Sequence, residues 1–231
     1  MLITLDDLPE PPDQVFMLAT PAHMLTKLHW EIHSLRKALS EKPEHIGHTH
    51  APAYCAFNCA VTAWHLADWV WKASSEVQRT DILASLGTTA AGDDRKDFGR
   101  FQTAIRNQSR ALHICRQLAT GSKHMTVTDY PDPNVRAEMR WEAEAARVGE
   151  KSPSDPFAVD RYRLVVLDKG IERAAVDVFG DAFKDWERFL GSWGVIEGRC
   201  PPPGRPLGYD AREVGRRAAR LMRDPGRTQG R

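Results

Sequence analysis

An arginine and a histidine stand seven positions apart in a segment with helical periodicity. Arg106 and His113 therefore lie two turns apart on one face of a predicted helix. An arginine can hold a phosphate while a nearby histidine moves the proton of a 2′-hydroxyl or of a leaving group, which cleaves RNA without a metal ion. Lys123 and His124, at the end of the same segment, offer the same two functions. These four residues are the first candidates for catalysis.

A polar stripe on a strongly apolar segment is the second candidate. Its members fall within roughly 60° on a helical wheel, with one carboxylate at the border. They are Asn58, Thr62, His65 and Lys72, bordered by Asp68. His65 and Asp68 are three positions apart, so they can hydrogen-bond and take part in acid–base catalysis. The alternative interpretation is that the stripe is the only solvent-facing side of this helix.

Histidines at helical spacing also suggest a metal site. His29 and His33 are four positions apart, and two imidazoles in this arrangement can bind Zn or Fe when a neighbouring helix adds two more ligands. His65 and Asp68 are the candidates for those ligands. The paired Glu-x-x-His motifs of diiron bundles are absent, so this metal site is the alternative to a protein without a cofactor. Three further histidines, His45, His48 and His50, cluster in the loop that follows.

The Arg106-Asn107 pair with His113 after six intervening residues resembles the motif of the HEPN superfamily. In that family an arginine, often followed by a polar residue such as asparagine, precedes a histidine, with four to six residues between the two. Arg116 and His124 are separated by seven residues and depart from the pattern. The resemblance covers this helix and its helical surroundings, about residues 20–125. It implies a helical bundle that binds or cleaves RNA without metal in a bacterial toxin or defence system, with the motif acting across a homodimer.

Hydrophobic periodicity predicts the helices that would position these residues. Helices are expected over 21–39, 52–77 and 95–120, the last with a bend near 107–109 and a stop at Gly121. Thr80 and Asp81 are candidate caps of a short helix that ends at Leu86. The second helix is apolar nearly all round, which favours a central position in a bundle.

The pattern changes after residue 124. Residues 125–130 alternate like a short strand, and 131–156 are expected to form a helix or a mobile polar segment. Residues 160–178 predict a β-hairpin that turns at Asp168-Lys169-Gly170. A last amphipathic helix follows. The predicted fold class is mainly α, a bundle of four or five helices with a small antiparallel hairpin or sheet near the C-terminal part.

The charge of the 231-residue chain divides unevenly along its length. The total is +1, but residues 1–198 carry 23 basic and 28 acidic side chains, whereas 199–231 carry nine arginines and three acidic residues. We therefore expect a domain over 1–198 and a flexible, basic, Pro/Gly/Arg-rich tail over 199–231. The tail arginines proposed to contact nucleic acid are Arg212, Arg216, Arg217, Arg220 and Arg223. The alternative is a solubilising extension.

The sequence predicts a cytoplasmic protein without a membrane segment. Its start is acidic and broken by prolines, unlike a secretory signal. The most apolar stretch, 53–71, is interrupted by His65 and Asp68, and a charged residue is costly in a bilayer. The four cysteines form no Cys-x-x-Cys pair, which favours reduced thiols.

Three functions remain open at this point. The first is an HEPN-like RNA-binding or RNA-cleaving protein with RNA as partner, acting as a homodimer. The second is a metal-binding bundle that uses His29, His33, His65 and Asp68. The third is an interaction module without catalytic activity.

Overall fold

The computed structural model describes residues 18–41, 50–124, 127, 130–142 and 161–196. These ranges contain six helices and three strands. The helices are α1 (Pro21–Ser40), α2 (Ala51–Ala73), α3 (Glu76–Ser85), α4 (Asp94–Gln108), α5 (Arg110–His124) and α6 (Ala175–Ser192). The strands are β1 (Val135–Glu142), β2 (Arg161–Asp168) and β3 (Ile171–Ala174). The predicted fold class, mainly α with a small antiparallel sheet, is confirmed, with six helices in place of four or five.

Helices α1 and α2 pack against each other through the apolar stripe of α1. Leu25, Leu28 and Leu35 are almost completely buried, as their three–four spacing requires. Thr20 caps the start of α1 by accepting a hydrogen bond from the backbone N–H of His23. Across the helix pair, Lys27 Nζ donates to Thr62 Oγ1 at 2.5 Å.

The second helix ends earlier than predicted. Helix α2 stops at Ala73, and Ser75 begins α3 with a capping box in which its hydroxyl and the side chain of Gln78 satisfy each other's backbone N–H groups. The prediction of one helix over 52–77 was therefore wrong, and so was the prediction that Thr80 and Asp81 cap the next helix. The reciprocal cap at Ser75 and Gln78 fixes the start of α3 instead.

A break at Ser109 separates α4 from α5, within the predicted bend. Ser109 has extended backbone angles, and its hydroxyl accepts from the backbone N–H of Leu112 and donates to Asp185 of α6 at 2.6 Å. Arg106 and His113 therefore lie on two different helices. The prediction that they are two turns apart on one helix is wrong. The predicted stop at Gly121 is also wrong, because α5 continues to His124.

The sheet has the order β1-β2-β3, and both pairs of strands are antiparallel. Lys169 and Gly170 form the β2–β3 turn with positive φ angles of 52° and 81°, which confirms the predicted hairpin. Its second strand is shorter than predicted, because α6 begins at Ala175. Strand β1 lies where a helix or mobile segment was expected. The strand predicted over 125–130 is not observed at Val127 or Tyr130, and the rest of that segment lies outside the described residues.

Helix α6 closes the core. Trp186 is fully buried, and its indole N–H donates to the backbone oxygen of Ala63 in α2 at 2.8 Å. Phe189 stacks on Trp193 with ring centroids 5.2 Å apart, and Trp193 also packs against Phe101 of α4. Large aromatic side chains thus join α6 to α2 and to α4. These contacts hold in place helix α4, which leads into α5.

The described helices include none that is long and apolar enough to cross a membrane. The predicted division into a domain and a tail stays a prediction, since residues 199–231 lie outside the described ranges.

Candidate functional site

Side chains from α4, α5, the loop before β1 and the end of β2 meet around the break at Ser109. We call this group the junction cluster. Its members are Arg106, Arg110, His113, Arg116, Tyr130, Asp132 and Asp168. Two of the six predicted catalytic residues, Arg106 and His113, belong to it. The other five members were not among the predicted catalytic residues.

Asp132 is the main acceptor of the junction cluster. Its Oδ2 lies 3.0 Å from Nε2 of His113 and 2.8 Å from Nη1 of Arg110. Its Oδ1 accepts from both the backbone and the side-chain N–H of Asn134, each at 3.0 Å. Although burial alone would raise the pKa of Asp132, the hydrogen bonds from Arg110 and Asn134 hold it well below its usual range. Asp132 is therefore an ionised carboxylate that orients His113.

Arg110 connects α5 to two separate parts of the chain. Besides Asp132, it donates to Oδ1 of Asp168, at 3.0 Å from Nε and 2.5 Å from Nη2. The hydrogen bonds from Arg110 lower the pKa of Asp168, although burial opposes them. Arg110 is paired with two carboxylates, so it is suited to hold the site together. Its bond to Asp168 joins the end of β2 to α5.

His113 is prepared to act as a base near neutral pH. Burial lowers its pKa, and the charges of Arg110 and Arg106 lower it further, while the hydrogen bond to Asp132 opposes them. Because an ionised carboxylate only accepts hydrogen bonds, Nε2 of the neutral ring carries the proton. The lone pair then lies on Nδ1, which can accept a proton from a substrate.

Among the described residues, no carboxylate forms an ion pair with Arg106. Its Nη2 donates to Thr103 Oγ1 at 3.0 Å, and its buried Nε has no acceptor within the described part of the chain. Burial lowers the pKa of Arg106, and so does the nearby charge of Arg116. An anion bound between Arg106 and Arg116 would stabilise the charged form of Arg106 against both of these effects.

Tyr130 presents an aromatic ring beside these two arginines. The guanidinium carbons of Arg106 and Arg116 lie 5.9 and 5.8 Å from the ring centroid. Its backbone oxygen accepts from Arg116 at 3.2 Å and from Gln117 at 2.9 Å, and its φ of 50° is in the left-handed region. The side chain is 78% exposed, so the ring is open to a base that stacks on it.

Lys123 and His124 do not join the junction cluster. Both are exposed at the C-terminal end of α5. At about 1.5 Å of rise per residue, they lie roughly 15 Å along the helix from His113. The sequence placed them near His113 because they share a segment, but a helix of this length separates them.

The polar stripe of α2 divides into different environments. Asn58, His65 and Lys72 are exposed, whereas Thr62 is buried against Lys27 of α1. Asp68 is half-buried, and burial raises its pKa although His65 and Lys72 oppose this effect. Among the described residues no hydrogen bond joins His65 or Asp68 to the junction cluster.

The predicted metal ligands do not assemble. His29 packs against the ring of Phe183 at 4.8 Å, and burial lowers its pKa, as does the charge of Arg36. His33 and His65 are exposed. Within the described ranges no group of three or more His, Cys, Asp or Glu side chains is close enough to bind a metal ion. The metal site of His29, His33, His65 and Asp68 is therefore wrong, and the loop residues His45 and His48 lie outside the described residues.

Comparison of the chain with family models, with curated proteins and with solved structures found no match. The resemblance to the HEPN superfamily thus rests on Arg106, Asn107 and His113. The five arginines of the tail, Arg212 to Arg223, lie outside the described residues.

Proposed function

We propose that this protein is an HEPN-like RNA-binding protein that cleaves RNA without a metal ion at the junction cluster. The observation that supports the proposal is the placement of His113, which is held by Asp132 and lies near Arg106, an arginine with no ion pair among the described residues. A base and an anion-binding group are the two parts that metal-independent cleavage of RNA needs.

The proposed reaction begins with a phosphate of RNA bound between Arg106 and Arg116. Nδ1 of His113 accepts the proton of the adjacent 2′-hydroxyl, and the 2′-oxygen forms a bond to phosphorus. The bond from phosphorus to the 5′-oxygen breaks, which leaves a 2′,3′-cyclic phosphate. The departing 5′-oxygen takes a proton from water or from the histidine of a second copy of the chain. The two arginines stabilise the negative charge that develops on the phosphate oxygens.

The HEPN resemblance implies a homodimer in which two motifs act together. We include this homodimer in the proposal because it supplies the second proton donor. Its mass in solution, measured by light scattering after gel filtration, is expected to be twice the 26.0 kDa of one chain.

The test is cleavage of fluorescently labelled RNA in the presence of a chelator. The wild-type protein is expected to cleave, and His113→Ala to lose about 10²- to 10⁴-fold in rate, since general acid–base catalysis contributes that much. His65→Ala is the matched control, because it removes an exposed histidine from α2. Intact RNA at every dose of wild-type protein would contradict the ribonuclease proposal, and equal losses in both variants would show that the junction cluster is not the site.

The basic tail extends the proposal to RNA binding. Replacing Arg212, Arg216, Arg217, Arg220 and Arg223 together with glutamine is expected to weaken RNA binding and to reduce its dependence on salt. The rate of cleavage at saturating RNA is expected to stay unchanged. A lower rate at saturation would contradict a role confined to binding.

A further inference from the structure

A second surface suited to RNA lies beside the junction cluster. A cleft of about 480 Å³ runs between helix α4 and the residues that follow α3. Its walls include Thr88 on one side and Lys96, Arg100, Thr103 and Asn107 on the other. This volume is in the range of sites that bind one nucleotide-sized ligand.

Lys96 and Arg100 are the charged side chains among the described residues that line the cleft, and no aspartate or glutamate of those residues lines it. Lys96 and Arg100 form no ion pair with the carboxylates of the described ranges, and Arg100 donates to the backbone oxygen of Thr89. Two cations in a cleft without carboxylates attract phosphates.

The cleft continues into the junction cluster along one face of α4. Lys96, Arg100, Thr103 and Asn107 follow each other at spacings of four, three and four residues, so they share that face. Thr103 belongs to the cleft and also accepts the hydrogen bond from Arg106. The wall of the cleft and the proposed catalytic arginine are thus in direct contact.

We infer that this cleft binds the single-stranded segment of RNA that flanks the cleaved bond. Arg100 and Lys96 hold successive phosphates, and the amide of Asn107, which carries both donors and an acceptor, bonds to the edge of an unpaired base. The other amide in the cleft, Gln108, donates to the backbone oxygen of Leu86 at 3.2 Å, which helps to keep the two walls together. The inference rests on the proposed function, since it needs RNA at the junction cluster.

The dimensions match a short strand. With about 1.5 Å of rise per residue, Arg100 lies roughly 9 Å and Lys96 roughly 15 Å along α4 from Arg106. A stacked strand advances about 3.4 Å per nucleotide, so this distance corresponds to about four nucleotides. A dinucleotide at the junction cluster would therefore not reach Lys96, whereas an oligonucleotide of about ten residues would.

The experiment compares a long and a short substrate. A 12-residue oligouridylate and the dinucleotide UpU are offered to the wild type, to the double variant Lys96→Gln/Arg100→Gln and to a control. The control, Arg36→Gln/Lys184→Gln, removes the same two charge types from exposed positions of α1 and α6. We expect the cleft variant to bind the 12-residue strand about tenfold more weakly, with its salt slope reduced by about 1.4, because each phosphate contact on a single strand contributes about 0.7.

The two proposals fail in different ways. Cleavage of UpU at an unchanged rate by the cleft variant, together with weaker binding of the long strand, supports both. Equal binding of the long strand by the cleft variant and the control overturns the inference and leaves the proposed function standing. If the wild type neither binds nor cleaves either substrate, both proposals are overturned.

Discussion

Two pairs of histidine and aspartate lie on neighbouring parts of this bundle, and their carboxylates have opposite properties. Asp132 beside His113 accepts hydrogen bonds from three residues, and although burial alone would raise its pKa, the bonds from Arg110 and Asn134 hold that pKa low. Asp68 near His65 is half-buried, and burial raises its pKa although His65 and Lys72 oppose this effect. The same two residue types thus form an organised pair at the junction cluster and a loose pair on α2. Spacing within one helix brings side chains near each other, but donors from other elements decide whether the pKa of a carboxylate moves down or up.

The largest expected difference between the pairs is in stability. Asp132→Asn removes the charge that Arg110, His113 and Asn134 share, and we expect it to lower the free energy of unfolding by about 2 kcal/mol, the usual value for hydrogen bonds to a charged group. Asp68→Asn is expected to leave stability unchanged or to raise it slightly at neutral pH, because folding disfavours the ionised form of this carboxyl. Urea unfolding at pH 7 measures both.

A matched loss of stability in the two variants would contradict the distinction between the pairs. Arg188→Gln, which breaks an exposed pair with Asp185 on one helix, is the control for a surface ion pair. It is expected to change stability by less than about 0.5 kcal/mol.

The two pairs also show what the sequence could reveal. Arg106 and His113 were found because an arginine and a histidine at a family spacing form a local pattern. Asp132 and Asp168 were missed because they are 19 and 55 residues from His113 in the sequence, and only the packing of α5 on the sheet brings them together. Helix α1 and the turn at Gly170 were predictable, since each depends on local periodicity or local backbone angles.

Strand β1 was missed for a related physical reason. Its residues alternate between charged and apolar side chains, and at least one of the charges is paired with a residue on another strand. Arg140, for example, pairs with Glu138 on its own strand and with Glu172 on β3. Without those partners the segment has the composition of a polar loop, so the sheet had to be seen before the strand could be recognised.

The second prediction concerns the exposed aromatic ring of the junction cluster, Tyr130. Tyr130→Ala removes the exposed ring next to Arg106 and Arg116, and we expect it to weaken binding of single-stranded RNA by about tenfold, since one stacked base contributes about 1–3 kcal/mol. Tyr130→Phe keeps the ring and is expected to bind like the wild type. Fluorescence anisotropy with a labelled oligonucleotide measures both, and equal affinity of all three proteins would exclude stacking at this residue.

The third prediction uses salt to count phosphate contacts. Arg116→Gln removes one of the two cations proposed to hold the phosphate, so the slope of log affinity against log salt is expected to become shallower by about 0.7. Lys72→Gln removes an exposed charge from α2, at the loose pair, and is expected to leave the slope unchanged. If Lys72→Gln changes the slope as much as Arg116→Gln does, RNA contacts α2 as well as the junction cluster. The distinction between the two His–Asp pairs in RNA binding would then be wrong.

The smallest expected effect is the contribution of His113 to the pH dependence of folding. Burial and the charges of Arg110 and Arg106 lower its pKa in the folded protein below the ordinary value of 6.5. The unfolded chain therefore binds more protons than the folded chain as the pH falls through 6.5, and the free energy of unfolding declines there. Above this pH the contribution of His113 to stability is fully present.

The variant His113→Gln separates this residue from the other titrating groups. It is expected to flatten the decline of stability below pH 6.5. His29 has a lowered pKa as well, so His29→Gln is expected to flatten the curve independently, through loss of a neutral ring packed on Phe183. Asp132 and Asp168 titrate below 3.8 and act in a separate, more acidic range. The hydrogen bond from His113 to Asp132 opposes the lowering of the His113 pKa. Asp132→Asn, with His113 in place, is therefore expected to steepen the decline of the free energy of unfolding near pH 6. A flatter curve would show that Asp132 does not favour the protonated ring.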